Sequence, residues 1–166
     1  MKKSILLGCL MIFCLTTYAQ ETTPNPETLP KHSVSITSGI VYNGGFEISI
    51  DTEYFLNTNH VASIYGAANY LSSMEFKSKM AMVEIGGRCY IPAIRNKLYP
   101  YIGLGVTAGM RSDDNNSEPL LFGGVGTVGL EYLLTKNVGI EILGRIKYTS
   151  DNRQNYVIGC GLKYCF

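Results

Sequence analysis

The chain has 166 residues, 46% of them hydrophobic, and its 14 basic residues nearly balance 13 acidic ones. This length suits one domain. A formal net charge of +1 provides no strong field for nucleic acid or an acidic partner. We therefore predict no direct nucleic-acid binding.

The first 19 residues have the composition of a bacterial secretory signal peptide. Lys2 and Lys3 form a basic start, an apolar run extends over Ile5–Leu15, and Ala19 supplies a small residue at the cleavage site. The apolar run is too short to be a useful membrane span. A lipoprotein signal ending at Cys9 is less favoured, because apolar residues continue beyond it. The sequence thus predicts export from the cytoplasm.

Residues 20–31 form a leader that is rich in proline and almost free of apolar side chains. This composition predicts an extended periplasmic segment that is at least partly disordered. From residue 32 to residue 166 the chain divides into runs in which apolar and polar residues alternate. A period of two is typical of β-strands with one face in an apolar medium. We count eight such runs and find no helical period.

The first four runs are predicted strands that differ in clarity. They cover Ser33–Tyr42, Gly45–Leu56, Val61–Leu71 and Met80–Ile91. The sequence Asn43-Gly44-Gly45 between the first two is a hairpin signal. In the second run Phe46 and Ile48 lie on one face, and Glu47 and Asp51 on the other. Small residues and Tyr occupy both faces of the third run, which leaves its orientation open.

The last four predicted strands are separated by polar segments. They cover Leu98–Met110, Leu120–Leu134, Val138–Tyr148 and Tyr156–Phe166. We expect Arg111–Pro119 and Thr149–Asn155 to form polar loops and Thr135–Asn137 to form a turn. Pro100 stands near the start of its run, where a strand tolerates proline.

The last run has the most regular alternation of the eight. Its apolar face consists of Tyr156, Ile158, Cys160, Leu162, Tyr164 and Phe166. Aromatic residues near both ends of this face are typical of a membrane-spanning strand. Outer-membrane barrels typically end on such a strand, and their assembly machinery recognises a terminal Phe. We therefore interpret Phe166, Tyr164 and Leu162 as an assembly signal.

Eight runs of this length predict an all-β fold, an eight-stranded antiparallel up-and-down transmembrane β-barrel. An even number of strands places both termini on the periplasmic side. The polar segments Ser72–Lys79, Arg111–Pro119 and Thr149–Asn155 then face outward from the cell. We expect this outer set to be longer than the periplasmic turns. The alternative is a soluble periplasmic sandwich or lipocalin-like binder, in which the two faces would be inverted.

Charged residues within the predicted strands share one face. They are Glu47, Asp51, Glu53, Glu84, Arg88, Glu131, Glu141, Arg145, Lys147 and Lys163. A basic residue at mid-depth on a lipid-facing surface would cost about 2–4 kcal/mol. The charged face should therefore line the lumen, where residues of opposite sign would form a salt-bridge network and leave no open pore. A proton or ion pathway through Glu84, Arg88, Glu131 and Arg145 is the less favoured interpretation.

The sequence contains no recognisable catalytic or metal-binding pattern. Its two histidines are His32 and His60, and no nucleophile motif accompanies them. The polar segments contain charges that we interpret as solvated: Asp113, Asp114, Glu118, Asp151 and Arg153. We predict no enzyme activity, cofactor or metal.

Three cysteines follow the signal peptide, namely Cys89, Cys160 and Cys165. An odd number in an exported protein argues against a closed disulfide framework. Cys160 and Cys165 also lie on opposite faces of one strand, so that they are unable to bridge each other. Small apolar fillers are the favoured interpretation.

The second half of the chain resembles the conjugal transfer protein TraO family of Bacteroides-type conjugative transposons. The resemblance involves Gly-Gly-x-x-Tyr at Gly86–Tyr90 and YPYIGLGVTAG at Tyr99–Gly109. It also involves LFGGVGTVGLEYLLTKNVGIEILGRIK at Leu121–Lys147 and the closing GCGLKYCF. The resemblance implies an envelope component of a DNA-transfer apparatus and provides no catalytic residues.

The sequence thus favours a non-enzymatic outer-membrane barrel of a conjugation system, acting as a scaffold or surface contact. Its expected partners are outer-membrane lipid, the barrel-assembly machinery and other conjugation proteins. The leader or the outer loops would contact those proteins. The alternative is a general small outer-membrane barrel with an adhesive, stabilising or porin-like role outside conjugation.

Overall fold

The structure is a computed structural model, and it describes residues 30–42, 44–56, 60–74, 78–91, 97–113 and 116–166. The predicted signal peptide, most of the predicted leader, Asn43 and Asp114 lie outside the described residues. The same holds for residues 57–59 and most of the predicted turn at Pro92–Lys97.

The described chain forms eight strands. They are β1 His32–Val41, β2 Gly45–Phe55, β3 Ala62–Ser73, β4 Ser78–Tyr90, β5 Leu98–Asp113, β6 Asn116–Leu133, β7 Val138–Thr149 and β8 Gln154–Cys165. Each strand pairs antiparallel with its neighbour in sequence, and β1 pairs with β8 to close the barrel. The predicted fold class is confirmed. No helix of the described residues is long and apolar enough to cross a membrane.

The outer wall of the barrel consists of apolar side chains. Leu104 is 76% exposed and Ile158 is 74% exposed, whereas the inward positions on either side of them along the strands are mostly buried. This arrangement confirms the predicted faces, with polar residues inside and apolar residues outside. The structure also orients the third strand, placing Tyr65 and Asn69 inside and Ile64 outside.

The prediction of a long loop at Arg111–Pro119 is wrong. β5 continues to Asp113 and β6 begins at Asn116, so most of this segment extends the hairpin. Arg111 pairs with Glu118 after a register shift that follows Gly109. Polar residues continue the ladder because its hydrogen bonds satisfy the backbone whatever the side chains are. The register shift is a bulge of the kind that is common at barrel rims.

The expected difference in loop length between the two ends of the barrel is also wrong. At the end opposite the termini the strands are joined by residues 42–44, 74–77, 114–115 and 150–153. At the end that carries the termini they are joined by residues 56–61, 91–97 and 134–137. The strands extend further at the end opposite the termini, and the connections there are correspondingly short.

The first hairpin depends on two glycines. Gly44 and Gly45 have φ angles of 82° and 122°, a region that residues with a side chain rarely adopt. A Cβ on Gly45 would also lie 2.0 Å from the carbonyl oxygen of Ser72. These two glycines therefore fix the turn that the sequence predicted.

Gly129 makes room for an aromatic ring inside the barrel. A Cβ at this position would lie 2.3 Å from Cζ of Tyr101, whose hydroxyl donates a hydrogen bond to Glu141. We expect Gly129→Ala to lower the free energy of unfolding by about 1–3 kcal/mol, because the ring is forced aside. The measurement is urea unfolding in detergent micelles.

Gly126→Ala is the matched control for this substitution. It lies on the same strand, and the nearest atom to its added Cβ would be Cδ2 of Leu104 at 3.9 Å. The control experiences the same change in backbone entropy without the steric conflict. Equal stability of the two variants would contradict the proposed role of Gly129.

Candidate functional site

The barrel interior is stacked in layers along its axis. At the end that carries the termini lies an aromatic layer of Phe55, Tyr90, Tyr99, Tyr101 and Leu133. At the opposite end lies an aliphatic layer of Val41, Leu71, Met80, Met82, Leu121 and Val157. The charged side chains occupy the space between the two.

All ten charged residues that the sequence assigned to the lumen are buried. Each of these residues is between 0% and 5% exposed. Side chains that lined a continuous aqueous channel would be in contact with solvent. The interior is therefore filled by side chains, as expected for the narrow lumen of an eight-stranded barrel.

Asp51 lies at the centre of the charged layer, between two guanidinium groups. Nη2 of Arg88 lies 2.7 Å from Oδ2 of Asp51, and Nη2 of Arg145 lies 3.2 Å from the same atom. Arg88 also reaches Glu53 at 3.4 Å, and Arg145 reaches Glu47 at 2.8 Å. One carboxylate thus joins two clusters that come from three different strands.

Two lysines extend the network toward the ends of the barrel. Nζ of Lys163 lies 2.7 Å from Glu53 and 2.6 Å from Glu131. Nζ of Lys147 lies 2.6 Å from a carboxylate oxygen of Glu47 and 2.8 Å from one of Glu84, as ion pairs without aligned hydrogen bonds. Together with Arg88 and Arg145, these contacts form one continuous network.

Uncharged and aromatic partners complete the network. The hydroxyl of Tyr90 donates to Glu53 at 2.7 Å, and that of Tyr101 donates to Glu141. Cζ of Arg88 lies 4.5 Å from the centroid of the Tyr65 ring. Hydrogen bonds and aromatic contacts of this kind offset the cost of removing the charges from water.

Arg111 is a buried charge that the sequence analysis missed. It was assigned to a loop, but it is 2% exposed and donates a hydrogen bond to Asp151. Its Nη2 also lies 3.5 Å from Sδ of Met80, next to the aliphatic layer. The sequence did contain a signal for this burial. Arg111 is an even number of residues from Tyr101 and Thr107, and residues with that spacing lie on the same face of a strand, which in β5 is the inward face.

The interpretation of Asp151 as a solvated loop charge is wrong. Its side chain is 17% exposed, accepts a hydrogen bond from Thr149 at 2.6 Å and pairs with Arg153 at 3.4 Å. Burial raises the pKa of Asp151, but the hydrogen bonds from Thr149 and Arg111 outweigh it and hold the pKa below its usual value. Asp151 therefore helps to close the barrel end opposite the termini. The side chains of Asp113 and Glu118 lie outside the described residues.

The described residues form no group of three or more His, Cys, Asp or Glu that could hold a metal. Cys89 and Cys160 are free and exposed on the outer wall, and Cys165 is free and buried. The charged layer holds side chains in place through paired charges.

His60 closes the barrel end that carries the termini. Its ring stacks on Phe55 with the centroids 3.7 Å apart and the planes at 2°. Its Nε2 lies 2.7 Å from the carbonyl oxygen of Pro30, and the backbone N–H of Phe55 donates to Lys31 at 2.8 Å. These contacts join the end of the predicted leader to the barrel mouth.

We expect these contacts to weaken in acid. Burial lowers the pKa of His60, an effect only partly opposed by its hydrogen bond to Pro30. The folded protein therefore binds fewer protons than the unfolded chain, and stability falls as the pH drops below about 6.5. The measurement is the urea midpoint between about pH 8 and about pH 5.

His60→Gln is the matched variant for this pH series, since it keeps a donor without a titrating ring. It should show a smaller decrease in midpoint than the wild-type protein over the same range. All other residues are the same in both proteins, so that the difference isolates His60. Parallel pH profiles would contradict the prediction.

The residues of the predicted assembly signal lie on the outer wall. Leu162, Tyr164 and Phe166 are all exposed, and Phe166 stacks against His32 with the ring centroids 5.8 Å apart. The three side chains are accessible from the lipid side. Their recognition by the assembly machinery stays a prediction.

The comparisons with known proteins identify the fold. No protein-family model and no curated protein matches the chain. The crystal structure of Neisserial surface protein A is similar at a TM-score of 0.70 and 14% identity, covering 84% of this chain and 100% of that one. The N-terminal β-barrel domain of Pseudomonas aeruginosa OprF is similar at 0.66 and 12%, covering 81% and 96%.

A third similar structure is that of the outer membrane enzyme PagL. Its TM-score is 0.55 at 12% identity, and the match covers 81% of this chain and 99% of that one. At such identities the similarity shows a shared fold. Because one of these barrels is an enzyme, the fold alone does not determine whether a barrel is catalytic.

Proposed function

We propose that the protein is a non-enzymatic outer-membrane barrel that acts through its outer wall and its two ends. The observation that carries this proposal is the combination of an apolar outer wall with a filled, ion-paired interior. An exposed apolar surface of this extent is stable in lipid and unstable in water. Because the interior is filled, other molecules would contact the outer wall and the two ends of the barrel.

We further propose that this barrel belongs to a conjugative DNA-transfer apparatus, as a scaffold or surface contact. The support is the resemblance of Gly86–Tyr90, Tyr99–Gly109 and Leu121–Lys147 to the TraO family. Pro30, near the end of the leader, lies beside His60 at the barrel mouth, which offers other envelope components a point of contact. Partners of this kind would bind the leader or the opposite end.

The alternative is a small outer-membrane barrel with an adhesive or stabilising role outside conjugation. The similarity in fold to Neisserial surface protein A is compatible with it. A porin-like role is less well supported, because the interior charges are almost completely buried.

The membrane proposal is tested with outer-membrane fractions compared on a gel with and without boiling. We expect the folded barrel to be in this fraction and to change mobility on boiling. A protein found in the soluble periplasm without a mobility change would contradict the membrane location. Reconstitution in planar bilayers should give no steady conductance above that of empty bilayers.

The conjugation proposal is tested by deleting the gene in a donor strain and measuring transfer frequency. We expect a decrease that the wild-type gene restores and that an unrelated small barrel does not. Unchanged transfer frequency would contradict this role while leaving the membrane location intact. Adhesion of the same deletion strain to surfaces would then test the alternative.

A further inference from the structure

A groove crosses the outer wall of the barrel at β1–β4. It has a volume of about 390 Å³, and its outward-facing lining includes Val34, Thr52, Ile64, Gly66 and Ile85. Ile64 is 50% exposed and Ile85 is 61% exposed, so that they stand as apolar walls on either side. The groove opens toward the outside of the barrel, and four buried residues of the inner face also contribute to its lining, namely Ser33, Glu53, Tyr65 and Glu84.

The floor of the groove exists because Gly66 has no side chain. A Cβ at Gly66 would have Oγ1 of Thr52 at 3.7 Å and the carbonyl oxygen of Glu84 at 3.8 Å as its nearest neighbours. Both are ordinary contact distances, so the space above the glycine is open. Oγ1 of Thr52 donates a hydrogen bond to the Gly66 carbonyl at 3.3 Å, so that the hydroxyl group at the floor of the groove already has a partner.

One end of the groove reaches an aromatic rim. His32 lies 5.0 Å from Tyr54 and 5.8 Å from Phe166, measured between ring centroids, and all three residues line the groove. Lys31 is exposed and directly precedes His32. Aromatic side chains at the rim of a membrane barrel mark the depth of the lipid headgroups. The groove therefore runs from headgroup depth into the hydrocarbon layer.

We propose that this groove binds one acyl chain of a glycerophospholipid, with the phosphate group at Lys31 and His32. The proposal depends on the proposed membrane location and is independent of a role in conjugation. The apolar walls match the chain, and the ammonium of Lys31 and the ring nitrogens of His32 match the phosphate. Filling a recess beside Gly66 gives the chain contacts that a smooth wall would lack.

The test is native mass spectrometry of the full-length mature protein, released from vesicles that contain phosphatidylglycerol, phosphatidylethanolamine or diacylglycerol. We expect one retained phospholipid on the wild-type protein. Gly66→Leu should fill the groove and lower the retained fraction about tenfold. The control Gly126→Leu places the same side chain at another open outward position, where the nearest atom is 3.9 Å from the Cβ, and should retain the lipid.

The headgroup contact is tested with the double variant Lys31→Gln and His32→Gln. It should lose both phospholipids while holding diacylglycerol as the wild-type protein does. Equal loss of all three lipids would overturn the phosphate contact. If Gly66→Leu and the wild-type protein retained the same fraction of phospholipid, the groove would be overturned as a lipid site. Wild-type protein that retained detergent and no phospholipid would overturn it as well.

Two further outcomes separate this proposal from its rivals. A dimer that Gly66→Leu abolishes would overturn the proposal by identifying a second copy of the chain as the occupant. Every variant is also run boiled and unboiled on a gel. A mobility change in all variants shows intact barrels, so that a failure of lipid binding is distinguished from a failure of the membrane proposal.

Discussion

Replacing Arg88 by methionine is expected to destabilise the barrel by about 3–5 kcal/mol. Arg88 lies 2.7 Å from Asp51 and 3.4 Å from Glu53, and all three are buried. Methionine keeps much of the side-chain length but removes the charge. It would leave Asp51 with Arg145 and Glu53 with Lys163, each with one fewer cation in a medium of low dielectric constant.

The measurement is the free energy of unfolding from urea titration in phospholipid vesicles. The matched control is Lys79→Met, which makes a similar charge change on the outward side of the same strand, where Lys79 is exposed. We expect the control to stay within about 0.5 kcal/mol of wild type. Equal effects of the two substitutions would contradict a structural role of the buried network.

A second variant separates the charge from the packing of Arg88. Combining Arg88→Met with Asp51→Asn removes one cation and one anion together. Because removing both partners is less costly than leaving one of them unpaired, the double variant should be more stable than the sum of the single changes predicts. Strict additivity would indicate that the packing of Arg88, including its contact with Tyr65, accounts for the loss.

Leu104→Arg is expected to destabilise the barrel in vesicles by about 2–4 kcal/mol. Leu104 is 76% exposed near the middle of β5 and lies between Gly87 and Gly126 on the neighbouring strands. Its exposure makes the substitution harmless in water, where an arginine would be solvated. The predicted loss therefore depends entirely on a lipid environment.

Leu120→Arg is the depth control for this prediction. Leu120 is also exposed on the outer wall, but it lies near the beginning of β6 and therefore near the barrel rim. The same change should cost about 0–1 kcal/mol there. Two equal and negligible costs would contradict a membrane position for this wall and favour a soluble protein.

Much of the fold follows from a period of two in the sequence. Along β2 the alternation of Phe46, Ile48 and Ile50 with charged or small polar residues determines both strand and face. β3 is different, since Ala, Gly, Ser and Tyr are compatible with either side. Only its pairing with β2 and β4 orients it in the structure.

Strand ends are less predictable than strand faces. Polar residues after Met110 indicated a loop, but backbone pairing continues to Asp113. The alternation of apolar and polar residues predicts which part of a strand contacts lipid. It does not predict the residue at which backbone hydrogen bonding to the neighbouring strand ends. Arg111 was therefore missed as a buried residue, and its ion pair with Asp151 was missed with it.

Individual ion pairs are also beyond the reach of sequence. The partners Arg145 and Glu47 are distant in the chain, and they meet at 2.8 Å only after the barrel has closed. Alternation predicts that each of them faces inward. The choice among several carboxylates depends on register and side-chain reach, which the pattern does not contain.

The distribution of interior charge among the strands has a consequence for assembly errors. The ten central charges belong to β2, β4, β6, β7 and β8, and a slip of one residue in any of these strands would turn charged groups toward the hydrocarbon. A shift in strand register would therefore raise the free energy of the barrel by more than the loss of any single contact. The inward residues of β1 carry no charge: Ser33, Ser35 and Thr37 are small and polar, and Val41 belongs to the aliphatic layer. β1 therefore has no inward charge that a register shift would turn toward the hydrocarbon, and its alignment depends on the hairpin at Gly44 and Gly45.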